Sequence, residues 1–250
     1  MSLSLSTSLY IMKILLIGDS ITEGVDGFSY VRLLQADCVD CAFVNLGLGG
    51  DTLHGISQRL FAELAHTPEY DVIVFAAGHN DLLIPHMQQG SPAFQFIARS
   101  LLKRGCIPTP DSSSFAFKLQ STIDKLPAVF NGKIILTTLS CLGERPENDL
   151  NRKRQQLNVA IRQVAYKNGL HLADVGAVFD TKLRGKKTAV TVLSNPYAMI
   201  TIDKLLSRTR AGVTQLSRLR HTHLTIDGVH LNYEGAMIYR DTIQACLEKI

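Results

Sequence analysis

Short apolar runs rich in β-branched residues alternate along this chain with longer stretches of helical period, and that alternation leaves few architectures open. The runs at 13–17, 42–46, 71–77, 133–139 and 170–174 have the length and composition of buried strands. Helical spacing marks about 28–37, 55–65, 92–104, 116–130, 150–168 and 234–249. In the third of these, Ser91-Pro92 forms an N-cap and first turn. Phe94, Ile97, Ala98, Leu101 and Leu102 make one apolar face, and Gly105 ends it. Strands alternating with helices predict a parallel sheet covered on both faces, hence a three-layer α/β/α sandwich. A chain of 250 residues with 46% hydrophobic content suits one such domain.

Open sheets of this kind bind ligands beyond the carboxyl ends of their strands, and four segments put reactive or polar groups there. Gly18-Asp19 breaks the first strand, so Ser20 falls on a strand-to-helix turn, its hydroxyl exposed to a ligand. A serine needs a base, and the base needs an orienting carboxylate. Asp227 and His230, three residues apart around Gly228, supply both if a turn brings them to one side. In the alternative reading, Asp227 caps a helix and His230 is a bystander.

The run Asn45-Leu-Gly-Leu-Gly-Gly-Asp-Thr52 follows the second strand, and its glycines let backbone N–H groups approach a ligand. Asp71–Asp81 reads as a third strand ending in a polar turn, with the Asn80 amide at its carboxyl end. The N–H groups of Ser20 and Gly50 and the Asn80 side chain would give three donors to the oxyanion of an acyl-transfer intermediate.

Taken in order, Gly18-Asp19-Ser20, Gly50 within Gly49-Gly50-Asp51-Thr52, Gly78-His79-Asn80-Asp81 and Asp227-Gly228-Val229-His230 resemble the SGNH-hydrolase superfamily, the GDSL esterases and lipases. The flanking Thr22-Glu23-Gly24 and Leu231-Asn232 extend the match, which spans about 12–247. The resemblance implies a flavodoxin-like, mostly parallel five-stranded sheet in the order 2-1-3-4-5. It implies Ser20 as nucleophile, His230 as base oriented by Asp227, and an oxyanion hole of Ser20, Gly50 and Asn80. The expected activity is cleavage of carboxylic esters through an acyl-enzyme. Acyl transfer to another alcohol would use the same site, and a catalytically silent α/β ligand-binding protein is the other alternative. Asp19 and Asp81 are expected to hydrogen-bond their own loops.

Other features set the surroundings. No cofactor or metal is called for, and the expected partner is a small-molecule ester, an anionic one included. Residues 1–11 lack a basic n-region and an apolar core, so they read as a flexible extension before a single domain at 12–250. With no apolar stretch of membrane-spanning length, a cytoplasmic location is expected. Five cysteines argue against a disulfide framework, and Cys38-Val-Asp-Cys41 reads as a pair of packing thiols.

Two insertions are expected, near 82–114 and 181–225. The first is either a pocket wall or a peripheral helix with a linker. The second holds nine Lys or Arg between 182 and 220 against Asp203 alone, in a chain of net charge +4. Such a flap attracts anions or a membrane surface, or is simply a solvated loop and helix. Without a recognition motif or interleaved aromatics, it gives no case for nucleic-acid binding. His221 and His223 are too few for a metal site.

Overall fold

A computed structural model describes residues 11–67, 69–188, 192–193 and 203–250. Except for Ile11, the expected N-terminal extension lies outside them, as does part of the basic stretch. The strands are β1 (Met12–Gly18), β2 (Cys41–Gly47), β3 (Val72–Phe75), β4 (Lys133–Thr137) and β5 (His171–Ala173). They form one sheet in the order β2-β1-β3-β4-β5, parallel at every pairing.

Helices α1 (Ser20–Glu23), α2 (Tyr30–Asp37), α3 (Leu53–His66), α4 (His79–Gln88), α5 (Pro92–Lys103) and α6 (Ser112–Lys125) precede β4. After it come α7 (Asp149–Lys167), α8 (Val175–Leu183), α9 (Lys204–Leu206), α10 (Arg210–Arg220) and α11 (Tyr233–Leu247). No described helix is long and apolar enough to cross a membrane.

The side-chain period of two along the strands builds both halves of the core. From β1, Ile14 and Leu16 face one way with Val72, Val74 and Ile135, against Tyr30 and Leu34 of α2, Phe179 of α8 and Tyr239 and Ile243 of α11. Leu15 and Ile17 face the other way with Ile73, Phe75 and Leu136, against α3, α6 and α7 through Ile56, Leu60, Phe115, Leu119, Leu157 and Ile161. Every one of these side chains is less than 5% exposed. Each contributes about 1.5–3 kcal/mol by leaving water, and β1 is an interior strand, hydrogen-bonded to β2 on one side and β3 on the other.

Several boundaries and one pairing differ from the expectations. The strand expected to run to residue 77 ends at Phe75, and the polar turn expected after it is the start of α4, with Asn80 in its first turn. Helix α6 starts four residues earlier than its apolar pattern suggested, because Asp111 caps it by accepting from the Ser114 N–H. The stretch expected as loop and helix near 181–225 includes α10, capped by Thr209. Cys38 and Cys41 are joined as a disulfide rather than lying as packing thiols. The turn between α2 and β2 holds their Cα atoms 5.5 Å apart, within disulfide range. Cys106, Cys141 and Cys246 are buried free thiols.

Candidate active site

Ser20 sits where β1 leaves the sheet. Asp19 turns the chain in extended conformation and caps α1, its Oδ1 accepting from the Ile21 N–H at 3.0 Å. Gly24 closes the four-residue helix in left-handed conformation, returning its N–H to the Ser20 carbonyl. The Ser20 hydroxyl is thereby fixed at the carboxyl end of the interior strand β1.

Asp227 and His230 arrive on an irregular segment before α11. The Asp227 carboxylate does two jobs there. Oδ1 accepts from the Val229 and His230 N–H groups at 2.9 and 2.8 Å, and Oδ2 lies 2.7 Å from His230 Nδ1. The helix-cap alternative is therefore not what forms, since Asn232 caps α11 by accepting from Gly235. On its other side, His230 Nε2 lies 3.1 Å from Ser20 Oγ. A hydroxyl in reach of an imidazole whose far nitrogen meets a carboxylate can surrender its proton to the ring.

Burial by itself would lower the His230 pKa. The Asp227 carboxylate, through its charge and its hydrogen bond, outweighs burial with help from Asp26 and Asp19, and the pKa is raised to about 9. Burial by itself would raise that of Asp227, but the facing imidazole and the two N–H donors bring it below the ordinary range.

Gly50 and Asn80 meet these groups in a cleft of about 350 Å³, lined also by Ser20 and His230. Gly50 has φ +83, a conformation side chains rarely adopt, and a Cβ there would come within 2.3 Å of Leu101 Cδ2 and force that side chain to move. The N–H groups of Ser20 and Gly50 meet no protein acceptor among the described residues. Asn80 anchors itself by donating one amide hydrogen to the Asp51 carbonyl at 3.0 Å. Its second hydrogen is left for the cleft.

Two contributors, Arg59 and Glu144, escaped sequence reasoning, and a third, the 82–114 stretch, realises one of its two readings. Arg59 of α3 donates to the carbonyls of Gly18 and Leu46 and to the Asp51 carboxylate, tying two strand ends to the Gly50 loop. A lone Arg at helical spacing carries no signal for that. Ile97, Leu101 and Arg104 of the 82–114 stretch line the cleft, and Arg104 donates to the Gly49 carbonyl at 2.8 Å. Of the two readings of that stretch, the pocket wall is the one that forms. Glu144 is buried against the segment leading to Asp227.

Asp19 holds its own loop as expected, but Asp81 does not. Its oxygens accept from Leu53 N–H and Thr109 N–H, linking α4 to two other loops, and burial pushes its pKa up to about 7. Lys204 alone of the nine basic residues lines the cleft, and it lies 3.5 Å from Asp26. His223 Nε2 contacts the Lys187 carbonyl, and no metal-holding cluster occurs among the described residues.

The model of the GDSL-like lipase/acylhydrolase family matches residues 16–238. No curated protein matches the chain. Among solved structures, it is similar to a variant of Axe2, an acetyl-xylooligosaccharide esterase from Geobacillus stearothermophilus, at 19% identity and TM-score 0.63, with 94% of each chain covered. The acetyl xylan esterase AlAXEase gives 22% identity and TM-score 0.63, covering 94% of this chain and 98% of that one. A member of the lipolytic protein G-D-S-L family from Veillonella parvula gives 17% and 0.61, covering 96% and 100%.

Proposed function

The chain belongs to the GDSL-like lipase/acylhydrolase family and is a carboxylic ester hydrolase, and on that premise we propose that it works through an acyl-enzyme on Ser20. The observation that carries this reading is the unbroken line from Ser20 Oγ through His230 to Asp227, at 3.1 and 2.7 Å, on the wall of a cleft. His230 takes the Ser20 proton as the hydroxyl attacks the ester carbonyl, then gives it to the departing alcohol. Asp227 holds the ring in the tautomer that presents a bare Nε2 to Ser20 and stabilises the imidazolium that follows. The N–H groups of Ser20 and Gly50 and the free Asn80 amide hydrogen receive the oxyanion. Water then repeats the sequence and releases the acid.

The cleft supports a substrate with an apolar acyl chain and a polar alcohol. Leu83, Met87, Ile97, Leu101 and Leu193 give it an apolar wall, whereas Glu23, Asp26, Arg104 and Lys204 give it a charged one. Two acidic and two basic groups favour an uncharged ester over an anionic one. Hydrolysis of p-nitrophenyl esters from acetyl to palmitoyl, with Ser20→Ala alongside, tests the proposal. Turnover should extend past acetyl and fade at palmitoyl, which is too long for a cleft of about 350 Å³, and the variant should have none. Equal turnover by Ser20→Ala would end the Ser20 mechanism. Fluorophosphonate labelling without hydrolysis in water, but with transfer to an added alcohol, would favour an acyltransferase.

A further inference from the structure

Glu144, in the loop between β4 and α7, is 1% exposed, and among the described residues no Lys, Arg or His side chain pairs with it. A buried carboxylate without a counter-ion must be met by hydrogen bonds, and here all four come from one short segment. One oxygen accepts from the His223 N–H at 2.6 Å. The other accepts from the N–H groups of Leu224 and Thr225 and from the Thr225 hydroxyl, at 2.7, 2.7 and 2.8 Å.

Because the Thr225 hydroxyl spends its hydrogen on Glu144, its lone pair is free to accept from the Gly228 N–H at 3.0 Å. The carbonyl of Gly228 is fixed as well, by the Gly143 N–H at 2.6 Å. Gly228, next to Asp227, is therefore held at its N–H by Thr225, which Glu144 orders, and at its carbonyl by Gly143 of the same loop as Glu144. That loop is braced in turn by Asn151, which accepts from Leu142 and donates to the Gly143 and Arg145 carbonyls.

We propose that Glu144, acting through Thr225, is a positioning residue for the Asp227–His230 turn, fixing the pose of the pair without touching substrate. The proposal rests on reading Ser20, His230 and Asp227 as the reacting groups. The charged groups facing His230 are Asp227 on its own turn, Asp19 beside Ser20, and Asp26, with Glu23, Arg104 and Lys204 around the same cleft. None of them is altered by changing Thr225, so a move in the His230 titration reports the geometry of its pair with Asp227.

The test compares Thr225→Val, Thr225→Ser and Glu144→Gln by steady-state hydrolysis of p-nitrophenyl acetate over pH. It adds the proton NMR titration of the His230 ring. Thr225→Val should lower kcat roughly 10–100-fold with little change in KM, and move the His230 midpoint down. Thr225→Ser, which keeps the hydroxyl, should restore both, and Glu144→Gln should act in the same direction as Thr225→Val. Wild-type kcat and an unmoved midpoint in Thr225→Val would overturn the proposal. So would a fall in kcat with the midpoint unmoved, which is the mark of general loosening. If Glu144→Gln fails to fold, the valine and serine pair still decides. If Ser20→Ala hydrolyses as well as the wild type, the Ser20 reading falls, while the ring titration still judges Glu144.

Discussion

The turn that carries Ser20 and the segment that carries Asp227 and His230 reach the same point by opposite means. The first is six residues long, grows from the interior strand β1 and carries its own Asp19 cap and Gly24 return, with Asn45 and Arg59 donating to the Thr22 and Gly18 carbonyls. The second belongs to no strand of the sheet and is held by side chains 6 to 9 residues away and by Glu144, 79 to 81 residues away. Glu144 grips 223–225, Ser217 donates to the Thr225 carbonyl, Arg220 donates to the Ile226 carbonyl, and Asn232 donates to the His223 carbonyl. A site can thus join a part rigid by sheet membership to a part rigid by buried polar contacts. The second kind relies the more on buried polar side chains, Glu144 above all.

Experiments can break that comparison. The largest loss is expected from Ser20→Ala, about a millionfold in kcat with the circular dichroism spectrum unchanged, because the sheet and not the hydroxyl holds the turn. Asp227→Asn should cost about 10⁴-fold, since an amide presents the wrong tautomer to His230. Stopped assays at high enzyme concentration would read both losses. A mild effect of Asp227→Asn would mean that the long-range contacts alone orient the ring. Asn80→Ala should lower kcat roughly 10²–10³-fold. Near-full activity there would remove Asn80 from the oxyanion donors.

The effect of pH comes in the smallest steps. His230 must be neutral to accept a proton, so kcat/KM should rise about tenfold per unit and level off near pH 9, where the raised pKa lies. Levelling near 6.5 would show that Asp227 does not govern the ring. Stability runs the other way. A raised histidine pKa gives a contribution that is full below about 6.5 and lost as pH rises through about 9. Urea midpoints between pH 6 and 10 should therefore fall as activity climbs.

Legibility in the sequence follows the same division. The strand ends and the groups on them could be read because strand termini are marked locally, by Gly18-Asp19, by Gly49-Gly50 and by Gly78. The Asp227–His230 spacing was equally compatible with a cap, and only tertiary contacts separate the two. Glu144 and Arg59 left no trace, since a carboxylate 81 residues from Thr225 reads as one more charged surface residue. The start of α4 reads as a turn in the sequence because His79-Asn80-Asp81 are polar, and only the tertiary structure buries them. The disulfide was misjudged for a simpler reason, because counting cysteines says nothing about one tight turn.

The groups that would perform the chemistry and the apolar side chains that would choose the substrate share α4, but α5 carries only the latter. Most of the apolar wall comes from α4 and α5, and α5 supplies no reacting group; its Leu101 packs against Gly50, where φ is +83. A lineage carrying this fold can accordingly exchange residues along α5 and inherit its reaction intact. Diversification of substrate need not pass through an inactive ancestor, provided position 50 stays glycine.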